Sequence, residues 1–223
     1  MDPLWSILML FGSALCHQIP ERSYLLGDLQ MPLCARCIGI HIGFLLSSMV
    51  VWSGSRRFAS GMPGKRALAV LGAMAVIGVI EALLSYGGVS GYDNVSRTIG
   101  GLLIGTPIPF VAVPLLNLIV FPGRNSRTPF KDFGDWILLV AAFAGGAAVI
   151  FLAGSSIILF SLASVLGIIG MMVLIFTIAF LLVAALTDGK GLSVRRRIVF
   201  AALISSVFLT VLAAVHNILL PQI

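Results

Sequence analysis

The chain has 223 residues, of which 59% are apolar and only 10% charged. A soluble domain carries about 25% charged residues, so a water-exposed globule is excluded. The formal net charge of +6 does not point to nucleic acid, because the basic residues stand in short clusters between apolar runs, as charges flanking membrane spans do.

The first apolar run, Leu4 to Leu15, has 12 residues, short of the roughly 20 that cross a bilayer. It predicts a short span, a re-entrant helix or an interfacial one. No basic residue precedes it and no small residue stands directly before Cys16, so a secretion signal is not expected. After an outer motif segment, 16–33, spans are expected at about 34–53, 67–86 and 98–121. The third contains Pro107, Pro109 and Pro114, which predict a kink or an unwound turn. The 51 residues from Trp136 to Leu186 exceed one span and suit two, broken near Gly154-Ser155-Ser156 into 136–153 and 157–186. The last span is expected at 198–220. The fold class read from this pattern is a single all-α domain over 1–223, a polytopic transmembrane helical bundle of six to seven spans.

Lysine and arginine set the expected orientation. Arg56, Arg57, Lys65 and Arg66 follow the 34–53 span; Arg124, Arg127 and Lys131 precede the 136–153 span; Lys190, Arg195, Arg196 and Arg197 precede the last one. These are eleven of the fourteen basic residues, and alternating spans place them on one side. Basic loops stay cytoplasmic, so a multi-pass protein of the cell (plasma) membrane is expected, with segment 16–33, the loop 87–97 and the turn at Ser155 on the outer side. Every cysteine, every histidine and Glu81 then fall in the outer half.

The motif segment reads Cys16-His17-Gln18, followed by Cys34-Ala35-Arg36-Cys37 and His41. Thiolate and imidazole are the ligands zinc prefers in tetrahedral geometry. On a helix starting near Cys34, residues Cys34, Cys37 and His41 stand at i, i+3 and i+7 on one stripe. Cys16 arrives from the first helix, and His17 competes with His41 for a fourth position. Three other readings stay open: buried packing thiols, a Cys34–Cys37 disulfide, and a redox pair with Cys16 as its partner.

The run Cys-His-Gln-x-Pro-Glu-Arg-Ser, then Cys-Ala-Arg-Cys-x-Gly-Ile, resembles the signature of the DUF2085 integral membrane proteins of archaea and bacteria. The similarity extends to Asn94-Val95-Ser96-Arg97 and the glycines after it, and Glu81 stands where many members have an aspartate. The matched blocks are residues 16–43 and 81–105. An aromatic is more usual at the position of His41, which shifts the preferred fourth ligand to His17. The resemblance implies a fold and a site without a reaction.

Glu81 lies deep in an apolar helix, where an acid usually faces a cavity or a partner. Arg97 is its expected partner. The alternative functional roles are a proton acceptor or metal ligand at Glu81 and an anchor at Arg97 for an anionic group such as a lipid phosphate. Gly39 to Gly43 and Gly101 to Gly105 carry G-x-x-x-G spacing, which predicts close packing of those two helices. No P-loop, G-x-S-x-G or H-E-x-x-H occurs.

The combined expectation is an outward-facing zinc-type site of Cys16, His17, Cys34 and Cys37. Beside it lies a cleft of Glu81 (catalytic), Asn94 and Arg97 (substrate-binding), acting on a lipid-linked or amphiphilic substrate with membrane lipid as partner. The rival classes are a thiol–disulfide oxidoreductase using Cys34 and Cys37, and a transporter with Glu81 as coupling group.

Overall fold

A computed structural model of the chain describes residues 3–53, 57–87, 93–120, 128–130, 132–188 and 191–219. Of the residues that carry the orientation reading, Arg56, Arg124, Arg127, Lys131 and Lys190 lie outside these. The helices are α1 (Pro3–Ser13), α2 (Ala35–Trp52), α3 (Lys65–Tyr86), α4 (Asn94–Gly105), α5 (Ile108–Val120), α6 (Phe133–Leu152), α7 (Ile157–Leu186) and α8 (Val194–Leu219). With α4 and α5 counted together, six spans are long and apolar enough to cross a bilayer. The all-α polytopic architecture expected from the apolar runs is therefore the one observed.

Local chemistry fixes the helix ends. Asp93 caps α4 by accepting a hydrogen bond from the Ser96 N–H at 2.8 Å, satisfying one of the donors that a helix start leaves free. The span then breaks at Thr106-Pro107, because Pro107 has no N–H to continue the α4 ladder. Ser156 caps α7 through the Leu159 N–H at 3.2 Å. A single 3-10 turn, Ala153–Ser155, separates α6 from α7, at the expected break. Helix α1 is 11 residues long, roughly 16 Å and so about half the hydrocarbon thickness.

Helix α2 sits at the centre, packed on α4, α7, α6 and α5. The predicted glycine contact is present. A Cβ on Gly101 or Gly105 would strike the backbone carbonyls of Arg36 and Ile40, and one on Gly39 would strike that of Thr98. On the other face of α2, Gly170 of α7 lies against the His41 backbone. Helices α3 and α8 are peripheral, each with only 17% of its apolar window inside the bundle.

The segment between α1 and α2 folds over the helix ends. It holds a 3-10 turn, Pro20–Arg22, and a two-residue-loop hairpin, β1 (Leu25–Leu26) with β2 (Leu29–Gln30). Gly27 takes the first loop position at φ +59°, a conformation that costs glycine nothing. The Trp5 indole N–H donates to the Gln30 carbonyl at 3.1 Å, so α1 is fastened to this segment near its start as well as near its end.

Candidate metal centre

Cys16 follows the end of α1, Cys34 is the N-cap of α2, and Cys37 lies in the first turn of α2. Their sulfurs lie within 4.8 Å of one another, and all three thiols are unpaired. Cys16 is buried, while Cys34 and Cys37 are half-buried. Tetrahedral zinc with Zn–S bonds of about 2.3 Å holds its sulfurs about 3.8 Å apart. The donor set therefore fits a thiolate-bound metal after a contraction of at most about 1 Å from the 4.8 Å limit.

The position of Cys16 is set by the backbone around it. Gln18 has φ 53° and is the one non-glycine described residue with positive φ. Its side-chain amide donates to the carbonyls of Met9 (2.7 Å) and Pro32 (3.0 Å), and its own carbonyl accepts from the Gln30 amide at 2.6 Å. These bonds offset a left-handed conformation costing about 1 kcal/mol or more. Gly12 lets the Pro32 carbonyl approach α1, since a Cβ there would collide with it. The chain is thereby turned so that the Cys34 and Gln18 N–H groups donate to the Cys16 sulfur at 3.1 and 3.5 Å. Such outer-sphere donors favour thiolate and orient it.

The thiols share their protons unequally. Hydrogen bonds from Cys16 and then Cys37 hold the Cys34 thiol well below its ordinary range, against the cost of burial. The hydrogen bond to Cys34, with burial and the adjacent negative charge, pushes Cys16 up to about 11. A divalent cation that binds these thiols displaces the protons they retain.

The histidines stay outside the sulfur cluster. His17 is exposed and meets His216 of α8 edge-on, ring centroids 6.2 Å apart; it lines the same pocket as the thiols. His41 is 5% exposed, packed toward α7, and its Nδ1 has no hydrogen-bond partner among the described residues. Of the four expected ligands, three converge.

The carboxylate pairs differently from the sequence expectation. Glu81 accepts from Arg36 Nε and Nη2 at 3.1 Å, and both side chains are nearly buried, at 12% and 10% exposed. Arg36 lies between the cysteines on the face of α2 turned to α3 and α4. Nearness in sequence favoured Arg97 as the partner; tertiary packing favours Arg36. Gly100 makes the space, because a Cβ there would collide with the Glu81 carboxylate. Arg97 instead donates to Ser85 Oγ (3.3 Å) and Asn94 Oδ1 (3.2 Å).

Asn94 passes this contact on. Its Nδ2 donates to the Ser23 carbonyl at 3.2 Å. The Tyr24 hydroxyl bonds the Asn94 carbonyl (3.1 Å) and Thr98 Oγ1 (2.8 Å). Asn94 and Arg97 thus latch segment 16–33 onto α4. The pocket over the thiols, about 130 Å³, is walled by His17, Arg22 and Tyr86 rather than by Glu81, Asn94 or Arg97. The sequence reading missed Arg22, Arg36 and Tyr86; the only sequence signal for Arg36 was its place inside Cys34-Ala35-Arg36-Cys37.

Fold and site together define a polytopic helical membrane protein with three converging thiols where the motif segment covers the helix ends. Residues 16–111 match the profile of the DUF2085 family, described as predicted membrane proteins. The chain is 30% identical over 111 residues to a protein of Methanocaldococcus jannaschii, uncharacterized protein MJ1492, covering 49% of this chain and 68% of that one. It belongs to the DUF2085 family, as its motifs imply. No solved structure matches it. The matched region starts at Cys16 and ends in α5, so it contains all three thiols, the Arg36–Glu81 pair and the Asn94 latch.

Proposed function

We propose that the protein holds one thiolate-preferring divalent ion, of the zinc type, on Cys16, Cys34 and Cys37. The observation that carries this reading is the convergence of three unpaired sulfurs, contributed by two separate elements, within 4.8 Å. Three protein ligands leave one tetrahedral position free, the pattern of reactive zinc sites rather than of closed structural ones. His17, on the pocket wall, is the protein group placed to take that position when no other ligand does. A bound ion supplies Lewis acidity to a group entering the pocket.

In this reading Asn94 and Arg97 hold the motif segment over the ion. Glu81 keeps the Arg36 charge beside the thiols, and acts on protons only if it releases Arg36. Leu15, Ile19 and Tyr86 around the pocket favour a lipid-linked or amphiphilic substrate arriving from surrounding membrane lipid. The basic-loop asymmetry supports a cell-membrane location with the pocket on the outer side.

Metal analysis of the purified full chain tests this reading. About one equivalent per chain is expected, falling below roughly a tenth in Cys16→Ser and Cys34→Ser; absence of stoichiometric metal in the unsubstituted protein removes it. The same unpaired thiols support a second reading, a thiol–disulfide oxidoreductase. A Cys34–Cys37 disulfide seen by intact mass in metal-free protein, with alkylation only after reduction, selects that reading. For a transporter coupled through Glu81, unchanged counterflow flux in Glu81→Gln proteoliposomes is the disproof.

A further inference from the structure

Two arginines converge on one aromatic ring at the edge of the thiol pocket. The guanidinium of Arg36 lies 5.2 Å from the Tyr86 ring centroid, and that of Arg22 lies 5.3 Å from it. Their situations differ. Arg36 is nearly buried and its Nε and Nη2 are occupied by Glu81. Arg22 is half-exposed, lines the pocket, and has no carboxylate partner among the described residues. Its backbone is fixed, since the Arg22 N–H donates to the Ile19 carbonyl at 3.0 Å and the Ser23 hydroxyl to the same carbonyl at 2.9 Å.

Among the described residues, no acidic side chain lines this pocket. The polar side chains among its lining residues are the three thiols, the His17 imidazole, the Gln18 amide, the Arg22 guanidinium and the Tyr86 phenol. A divalent ion on three thiolates leaves that centre with a net charge of −1, and the Arg22 guanidinium, on the wall of the same pocket, supplies the positive charge and N–H donors that an entering anion needs. Guanidinium against a small oxyanion or carboxylate is a strong charge-assisted pairing, and the aromatic ring holds the arginine without competing for its N–H groups.

We infer that the pocket binds a compact anionic group between the Arg22 guanidinium and the free coordination position of the metal, with Arg22 as the anion-binding residue. This rests on the metal reading above and names the chemical class of what reaches it. Such a group arrives either as a free small anion or as the phosphate of a lipid headgroup, and the two sources share this chemistry. The limited volume, about 130 Å³, excludes a bulky head from the position next to the sulfurs.

The test uses the protein delipidated in dodecyl maltoside, a phosphate-free detergent, and loaded with cobalt(II). Visible ligand-field bands report the coordination sphere, and sulfur-to-cobalt charge-transfer bands report the thiolates. Thiocyanate and inorganic phosphate are titrated separately. A saturable change in the ligand-field bands is expected with at least one anion. Arg22→Gln weakens that anion by about tenfold or more, with cobalt stoichiometry and charge-transfer bands unchanged, and Arg22→Lys recovers part of the affinity. In phosphatidylglycerol nanodiscs, bands already shifted before any addition identify a lipid headgroup as the source; unshifted bands that respond to added anion identify a free anion.

Ligand-field bands indifferent to both anions and to phosphatidylglycerol overturn the inference and leave the metal reading standing. Equal anion affinity in Arg22→Gln and the unsubstituted protein also overturns it. Failure to bind cobalt overturns the metal reading, and this inference with it.

Discussion

The motif segment with α2, α3 and α4, and the bundle of α6, α7 and α8, place their polar groups in opposite ways. In the first region hydrogen bonds join distant parts of the chain: Tyr24 to Thr98, Asn94 to Ser23, Arg36 to Glu81, and the Thr98 hydroxyl to the Ala35 carbonyl at 3.2 Å. In the second, the hydroxyls of Ser164, Thr177, Ser205 and Thr210 donate to carbonyls four residues back on their own helix. A hydroxyl satisfied within its own helix says nothing about which neighbour it packs against. Lipid is as apolar as leucine, so burial alone does not select helix partners in a membrane. Close backbone approach and interhelical hydrogen bonds do. The region bearing the thiols has both, and the family match over residues 16–111 coincides with it.

The contrast is broken most severely at the buried Arg36–Glu81 ion pair. Arg36→Gln is expected to destabilise the protein by about 3–5 kcal/mol, because it leaves the Glu81 carboxylate uncompensated in the bundle. The double substitution Arg36→Met with Glu81→Leu recovers most of that loss. Denaturation of both variants in the same detergent checks the pair, and a double variant no better than the single one contradicts this account.

A smaller effect comes from the glycine seam. Gly105→Ala forces a methyl against the Ile40 carbonyl, and overpacking of this kind costs about 1–3 kcal/mol. Gly154→Ala meets nothing within 4 Å and is expected to change stability by less than about 0.5 kcal/mol. Equal melting shifts for the two glycines would remove the distinction between the regions.

A loss at the low end of the overpacking range is local to one helix end. Ser156→Ala removes the α7 cap that accepts from the Leu159 N–H and is expected to cost about 1 kcal/mol, without altering metal content. Paired thermal melts and metal assays measure it. A loss of metal in this variant would mean that the C-terminal bundle and the thiol cluster are coupled more tightly than their hydrogen bonds indicate.

Periodic apolar length alone determined the spans, because a bilayer demands about 20 apolar residues whatever they later contact. Proline and glycine-serine punctuation likewise placed the breaks at Thr106-Pro107 and at residues 153–156, since those effects act on the local backbone. The glycine spacing foretold the α2–α4 seam, and the clustering of Cys16, Cys34 and Cys37 in 22 positions was followed by their convergence in space. Only the tertiary structure decided partners. It gave Glu81 to Arg36 instead of Arg97, turned Asn94 and Arg97 into a latch on Ser23 and Tyr24, put Arg22 and Tyr86 on the pocket wall, and left both candidate imidazoles outside the sulfur cluster. Pairing depends on which helix faces meet and how far a turn such as Gln18 swings the chain, and residue spacing along a sequence does not encode those distances.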